Sequence, residues 1–249
     1  MCGIVGIFLK DPDLESKLGE FLAQMLITMS DRGPDSSGLA IYQRKKSKNK
    51  KITVQSCNPE TEFRSLIENL KKSFNNKAEI SCNHSHAVIS SNENIFSDIK
   101  KWLADFYPKL RILSIGRSLE IYKETGTASA VSNMFNIASR SGTHAIGHTR
   151  MATESLVTTL GAHPFSTAED QCLVHNGSLS NHNTLRRQLG ALGVQCKTEN
   201  DSEVAAAYLS QKLDSGADLG QAMEQALYDL DGFYTFLVET ETGIGLLRD

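Results

Sequence analysis

Met1-Cys2-Gly3-Ile4-Val5-Gly6-Ile7-Phe8 opens the chain with a thiol one position from the N-terminus, followed by good strand formers. Two readings are open. In the first, the stretch is an apolar strand that happens to begin with an idle thiol. In the second, removal of Met1, which a small second residue permits, leaves a thiol and a free α-amine on Cys2. An amine of ordinary pKa, near about 8, can act as the general base of its own thiol, and the pair is a complete nucleophile.

Length and composition bound what surrounds this stretch. The 249 residues suit one large domain or at most two, and one is the simpler expectation. With 40% hydrophobic residues, 22% charged residues and a formal net charge of -3, the chain has no basic footprint for nucleic acid. It has no run of about 18 apolar residues to span a membrane, and its start lacks the basic flank of a signal peptide, so a cytoplasmic protein is expected. The cysteines at 2, 57, 82, 172 and 196 are odd in number and contain no CxxC pair, which argues for reduced thiols over a disulfide framework.

Asp11-Pro12 has the cap and first-turn proline of a helix start, and Leu14, Leu18, Phe21, Leu22, Met25, Leu26 and Met29 keep the period of one buried helical face. The helix must stop at Asp31-Arg32-Gly33-Pro34-Asp35-Ser36-Ser37-Gly38, either a polar turn or a functional loop. Leu39 to Gln43 reads as a strand. With the basic run Arg44 to Lys51 and a second strand through Ile52-Thr53-Val54, it predicts a hairpin with a solvated tip. From Pro59 to about Ser141 helix and strand patterns alternate without a sharp linker, so residues 44–141 read as an elaboration of one domain. Cys82, His84 and His86 would share a face of a single strand, but no fourth ligand accompanies them and no metal is expected.

Gly142 to Arg150 predicts a buried strand that delivers polar side chains at its end, and Cys172 to Asn181 predicts a second. Helices are expected through Leu185, Leu189 and Leu192, from Ser202 to Lys212, and through Leu219, Met223, Ala226 and Leu230. Asp201 or Ser202 is the candidate cap of the middle one. Strands at Phe233 to Val238 and from Ile244 onward complete the chain.

Four separated pieces share one explanation: MCGIVGIF at the start, GHTRMAT around Arg150, VHNGSLSN around Asn176 and ENDSEV around Asp201. In this order they resemble the class II glutamine amidotransferases, glutaminases of the N-terminal nucleophile hydrolase superfamily. The resemblance implies an α+β fold, a four-layer αββα sandwich with two antiparallel sheets between helical layers, spanning 2–249 as a single domain. Hydrolysing a glutamine side-chain amide requires a nucleophile, a proton shuttle, an oxyanion hole and a grip on each end of the amino acid. The resemblance assigns Cys2 as the nucleophile and the Asn176 side-chain amide with the Gly177 N-H as the oxyanion donors. It assigns Arg150, assisted by Thr153, to the substrate α-carboxylate and Asp201 to the α-ammonium. Arg32 becomes a supporting residue near the nucleophile, His148 and His175 belong to the strand scaffold, and no cofactor or metal is implied.

Departures narrow the branch. Sugar-phosphate amidotransferases usually carry tryptophan where this chain has Met151 and histidine where it has Glu154. GAHPFST at Gly161 to Thr167 is more similar to the glutamate synthase branch, which includes the glutaminase subunits of split glutamate synthases and of methylamine-glutamate N-methyltransferase. The expected function is a glutaminase subunit that hydrolyses L-glutamine to glutamate and ammonia for separate synthase or transferase subunits. Asp249 falls where further strands of the sandwich are expected. Another amidohydrolase of the superfamily, or a noncatalytic glutamine-sensing or assembly subunit, is the alternative.

Overall fold

In chain order the elements are β1 (Gly3–Phe8), α1 (Leu18–Thr28), β2 (Ser36–Tyr42), β3 (Lys50–Gln55), α2 (Pro59–Ser73), β4 (Ala78–Asn83), β5 (His86–Ser91), α3 (Glu93–Phe106), β6 (Arg111–Gly116), β7 (Leu119–Thr125), α4 (Ala128–Met134), β8 (His144–Arg150), β9 (Gln171–Leu179), α5 (His182–Ala191), α6 (Asp201–Asp214), α7 (Leu219–Asp229), β10 (Gly232–Thr240) and β11 (Gly243–Arg248). This computed structural model describes residues 2–44, 49–152 and 156–249. Met1, most of the basic tip at 45–48, and 153–155 with Thr153 and Glu154 lie outside the described residues.

Strands β1, β8, β2 and β7 form one antiparallel sheet in that order, and β11, β10 and β9 form a second. Both faces of the first sheet are covered, which is why Leu39 to Tyr42 of β2 reads as an unbroken apolar run. Leu39 and Ile41 pack with Leu18, Leu22, Leu26 and Phe135 on the side of α1 and α4. Ala40 and Tyr42, of opposite parity, meet Cys172 and Val174 of the second sheet. On the far side of that sheet Leu173, Leu179, Phe236 and Val238 pack with residues of α5, α6 and α7. The sequence of layers is helix, sheet, sheet, helix, the sandwich expected. Leu18, Leu22 and Leu26 are essentially inaccessible, so truncating any one to alanine costs about 2–5 kcal/mol.

The expected hairpin of β2 and β3 does not form. Both edges of β2 are occupied, by β8 and β7, so β3 pairs instead in a third sheet of order β4-β5-β3-β6. The unit β3-α2-β4-β5-α3-β6 is a pair of interlocked split βαβ crossovers, the ferredoxin-like arrangement. Its own core joins Ile52, Val54, Ala87 and Ile89 to Phe63, Leu66, Phe96 and Ile99. His86 packs against Tyr122 and Phe135 of the sandwich, and Lys51 pairs with Glu120 of β7 at 2.7 Å. The part of 44–141 that departs from the sandwich is therefore 50–116, while β7 and α4 return to it.

Two local expectations also change. Asp11 caps a 3-10 turn over Pro12–Lys17 through the Asp13 N-H, and α1 begins only at Leu18. Cys82 lies on β4 and His86 on β5, because the chain reverses at His84, where φ is 53°. Cys82 is exposed and His86 buried, so they share no face.

Candidate active site

The site forms where β1 begins and β8 ends. Gly3 lies opposite Thr149, and extending that register by one residue sets Cys2 level with Arg150. The Cys2 thiol is half-buried, with its Sγ 3.8 Å from the Met151 carbonyl oxygen. Two side chains from remote elements hold its main chain: Arg32 Nε donates to the Cys2 carbonyl oxygen at 3.3 Å, and Asn176 Nδ2 donates to the same oxygen at 3.4 Å.

Arg32 reaches this point because its loop clasps the end of β8. Gly33 passes so close that a Cβ there would lie within 2.6 Å of the Thr149 and Arg150 main chains. Asp35 then donates its N-H to the Arg150 carbonyl at 3.1 Å and accepts the Ala152 N-H on Oδ2 at 2.8 Å. The loop fixes both the arginine beside Cys2 and the strand end that carries Arg150. Asp35 was visible in the sequence only as part of a polar loop, and its role depends on β8 lying next to it.

Arg150 is 6% exposed. Its Nη1 donates to the Leu156 carbonyl at 3.4 Å, and Ser36 stands opposite it on β2. Asn176 and Gly177 come from β9. Gly177 has φ of 145°, and a Cβ there would collide with the Phe233 carbonyl, so the position admits only glycine without strain. Asp201 is the first residue of α6 but does not cap it. Asn200 does, accepting the Ser202 N-H at 2.9 Å. Relieved of capping, the Asp201 carboxylate accepts the Leu179 N-H at 2.9 Å, which ties α6 to the end of β9. With 22% of its side chain exposed, it keeps a face for a ligand.

The two histidines brace the sandwich. His148 Nε2 donates to the His175 carbonyl at 2.9 Å, joining the two sheets, and His175 Nδ1 meets Ser202 Oγ at 2.8 Å. Burial pushes His148 down to about 3 and His175 down to about 4, the latter against the opposing field of Asp201. Both rings are neutral at neutral pH, so neither adds a charge to the site. Among the described residues no three His, Cys, Asp or Glu side chains come together as metal ligands, and no helix is long and apolar enough to cross a membrane.

Arg32 and Asn176 thus meet at the Cys2 carbonyl, Arg150 ends the strand beside β1, and Asp201 is tied to the end of β9, the strand that carries Asn176. Around these strand ends the chain therefore carries a thiol, an amide donor, two guanidinium groups and a carboxylate, the kinds of group that binding a zwitterion and cleaving an amide require.

The family described as glutamine amidotransferase domain matches residues 148–249. The glutamine amidotransferase-like protein GlxB of Rhizobium meliloti is 54% identical over 249 residues, covering all of this chain and 82% of that protein. A putative glutamine amidotransferase of Methanothermobacter thermautotrophicus is 34% identical, covering all of this chain and 85% of that protein. A glutamine--fructose-6-phosphate aminotransferase of Bacteroides thetaiotaomicron is 33% identical over 129 residues, 51% of this chain and 21% of that one. Among solved structures, the allosteric regulatory enzyme of purine biosynthesis is similar with a TM-score of 0.60 and 19% identity, over 99% of this chain and 37% of that one. The glutamine phosphoribosylpyrophosphate amidotransferase from B. subtilis gives 0.54 and 19%, over 100% of this chain and 36% of that one. This chain spans little more than a third of those two structures, and the likeness concerns the fold.

Proposed function

The chain belongs to the class II glutamine amidotransferases, and from that premise we propose that it hydrolyses L-glutamine to glutamate and ammonia at Cys2, for use by a separate synthase or transferase subunit. The observation that carries this reading is the convergence of Arg32 and Asn176 on the Cys2 carbonyl oxygen. An idle thiol needs no such fastening.

With Met1 removed, the α-amine of Cys2 takes the thiol proton through a water, and Sγ bonds to the side-chain amide carbon. The displaced electron pair moves to the amide oxygen, which receives hydrogen bonds from Asn176 Nδ2 and the Gly177 N-H. Loss of one such donor costs about 3–4 kcal/mol of transition-state stabilisation. The intermediate collapses to a thioester as ammonia leaves with the proton held by the amine. Water then attacks the thioester, releasing glutamate and restoring the thiol. Arg150, assisted by Thr153, holds the α-carboxylate through its planar fork, and Asp201 pairs with the α-ammonium. No cofactor takes part.

Residues 2–249 act in this reading as one amidotransferase unit with the ferredoxin-like segment inserted, in a cytoplasmic setting that keeps the thiol reduced. Met151, Glu154 and Gly161 to Thr167 favour the glutamate synthase and methylamine-glutamate branch for the partner. The test combines intact mass of the native chain with glutamine hydrolysis by the partnered complex. A chain lacking Met1, and loss of hydrolysis in Cys2→Ala, are expected. Turnover by a chain that retains Met1, or unchanged hydrolysis by Cys2→Ala, overturns the reading.

A further inference from the structure

Lys123 on β7 is 3% exposed and points into the sandwich, where lysine is rare unless its charge is met. Its partners are three main-chain carbonyls of one short segment: Nζ donates to Ala162 O at 2.7 Å, Pro164 O at 3.0 Å and Leu160 O at 3.3 Å. The Phe165 ring lies 4.6 Å from the same nitrogen. Three acceptors turned into the protein interior each need a donor, and a single ammonium supplies all three.

That segment returns onto the substrate grip. Arg150 Nη1 donates to the Leu156 carbonyl, and Gly161 packs so near that a Cβ there would lie 3.5 Å from the same Nη1. The segment crosses β2 at Gly38, where a side chain would collide with the His163 carbonyl. Gly38 stands opposite both Lys123 and His148, and the His163 ring stacks on His148 with centroids 4.1 Å apart. A lysine on one neighbour of β2 and a histidine on the other therefore hold down the stretch against which the Arg150 guanidinium rests.

We propose that Lys123 is a positioning residue for glutamine binding, which holds segment 156–165 against the sheet and so sets the guanidinium of Arg150 for the substrate α-carboxylate. The inference rests on the glutaminase reading above. The charged and titratable groups around the ammonium are Glu203, whose field favours it, Arg150, whose field opposes it, and His86, His148 and His163, all driven toward neutrality by burial. Burial brings Lys123 itself down to about 7. The clamp is accordingly strongest below neutral pH and weakens above it.

Two electrophiles separate positioning from general damage in the processed full-length chain. Both are read at the Cys2 peptide by mass, because exposed Cys57 and Cys82 also alkylate: there iodoacetamide needs only the thiol, whereas a glutamine-analogue chloroketone also needs the α-carboxylate grip. Lys123→Met is expected to slow chloroketone labelling at least about tenfold, leave iodoacetamide labelling within about twofold, and raise KM for glutamine with little change in kcat. Lys123→Gln, which keeps two N-H donors, recovers part of the loss. A chloroketone to iodoacetamide ratio in Lys123→Met equal to that of the wild type overturns the inference alone. A wild type that the chloroketone does not label overturns the glutaminase reading, and the inference with it. Should Lys123→Met fail to fold, Lys123→Gln decides by the same ratio: a value between wild type and full loss is expected, and one equal to the wild type's overturns the inference.

Discussion

Arg32 Nε donates to the carbonyl oxygen of Cys2 at 3.3 Å, so the loop after α1 is fastened to the residue that carries the thiol. A hydrogen bond from a charged donor contributes about 1.5–3 kcal/mol. Arg32 is exposed, and its loss leaves no buried charge behind. Arg32→Ala is therefore expected to lower the melting temperature by a few degrees and, with the protein still folded, to lower kcat/KM by about tenfold because Cys2 loses its fastening. Arg32→Lys recovers only part, because the bond is made by Nε within the planar fork. Steady-state glutaminase kinetics alongside a thermal melt check this.

Asp201 accepts the Leu179 N-H, an interaction that the side-chain oxygen of asparagine preserves. What Asp201→Asn removes is the negative charge that the proposed reading assigns to the substrate α-ammonium. The expected outcome is a KM for glutamine raised by about ten- to a hundredfold, with no further loss on an amide substrate that lacks the α-amino group. Comparing glutamine with its des-amino analogue in both proteins checks it, and an equal loss on both would dissociate Asp201 from amine recognition.

Gly177 tests backbone geometry. With φ of 145° and the Phe233 carbonyl in the space of a Cβ, Gly177→Ala strains the β9-β10 pairing and is expected to destabilise the protein by about 1–3 kcal/mol. It also displaces the N-H assigned to the oxyanion, so activity falls by more than stability explains. Denaturant unfolding and hydrolysis measured at a temperature where the variant remains folded separate the two effects.

Buried neutral histidines set the acid response. Burial holds His86 and His148 at about 3 in the folded protein, against 6.5 for the free side chain. Between these values the unfolded chain binds more protons than the folded one, so stability is fully present above about pH 6.5 and is lost as pH falls toward 3. From pH 6.5 to pH 5 each ring withdraws about 2 kcal/mol. His86 packs edge-on against Phe135 at 4.6 Å, and His86→Phe is expected to remove one ring's share of the acid slope. Unfolding free energies measured at both pH values in both proteins check it.

The strands that bear the chemistry were legible because their signals are local. β1 announces itself as an apolar run after Cys2, β8, β9 and β10 as apolar runs ending in polar residues, and α2, α3 and α7 by the period of their apolar residues. β7 was not legible. Its Leu119-Glu120-Ile121-Tyr122-Lys123-Glu124 alternation looks half-solvated, yet Glu120 and Lys123 are buried. Their charges are met by Lys51 and by the carbonyls of 160–164, which the sequence does not place nearby. The hairpin expected for β2 and β3 failed for a related reason. Neighbouring strands usually pair, but β8 and β7 reach β2 from far along the chain and occupy both edges.

By itself the sequence determined which groups could act: a thiol at residue 2, Arg150, Asn176-Gly177 and Asp201 at strand and helix ends, in the order of one enzyme family. Tertiary structure alone decided how they are held. The partner of Arg32, the second bond to the Cys2 carbonyl from Asn176, 174 residues away, the three carbonyls gathered by Lys123 and the ferredoxin-like excursion all depend on sheet register and layer packing. Periodicity and residue type act over a turn or a strand. A hydrogen bond between remote residues exists only when the whole sandwich closes in one register, and no short stretch of chain carries that information.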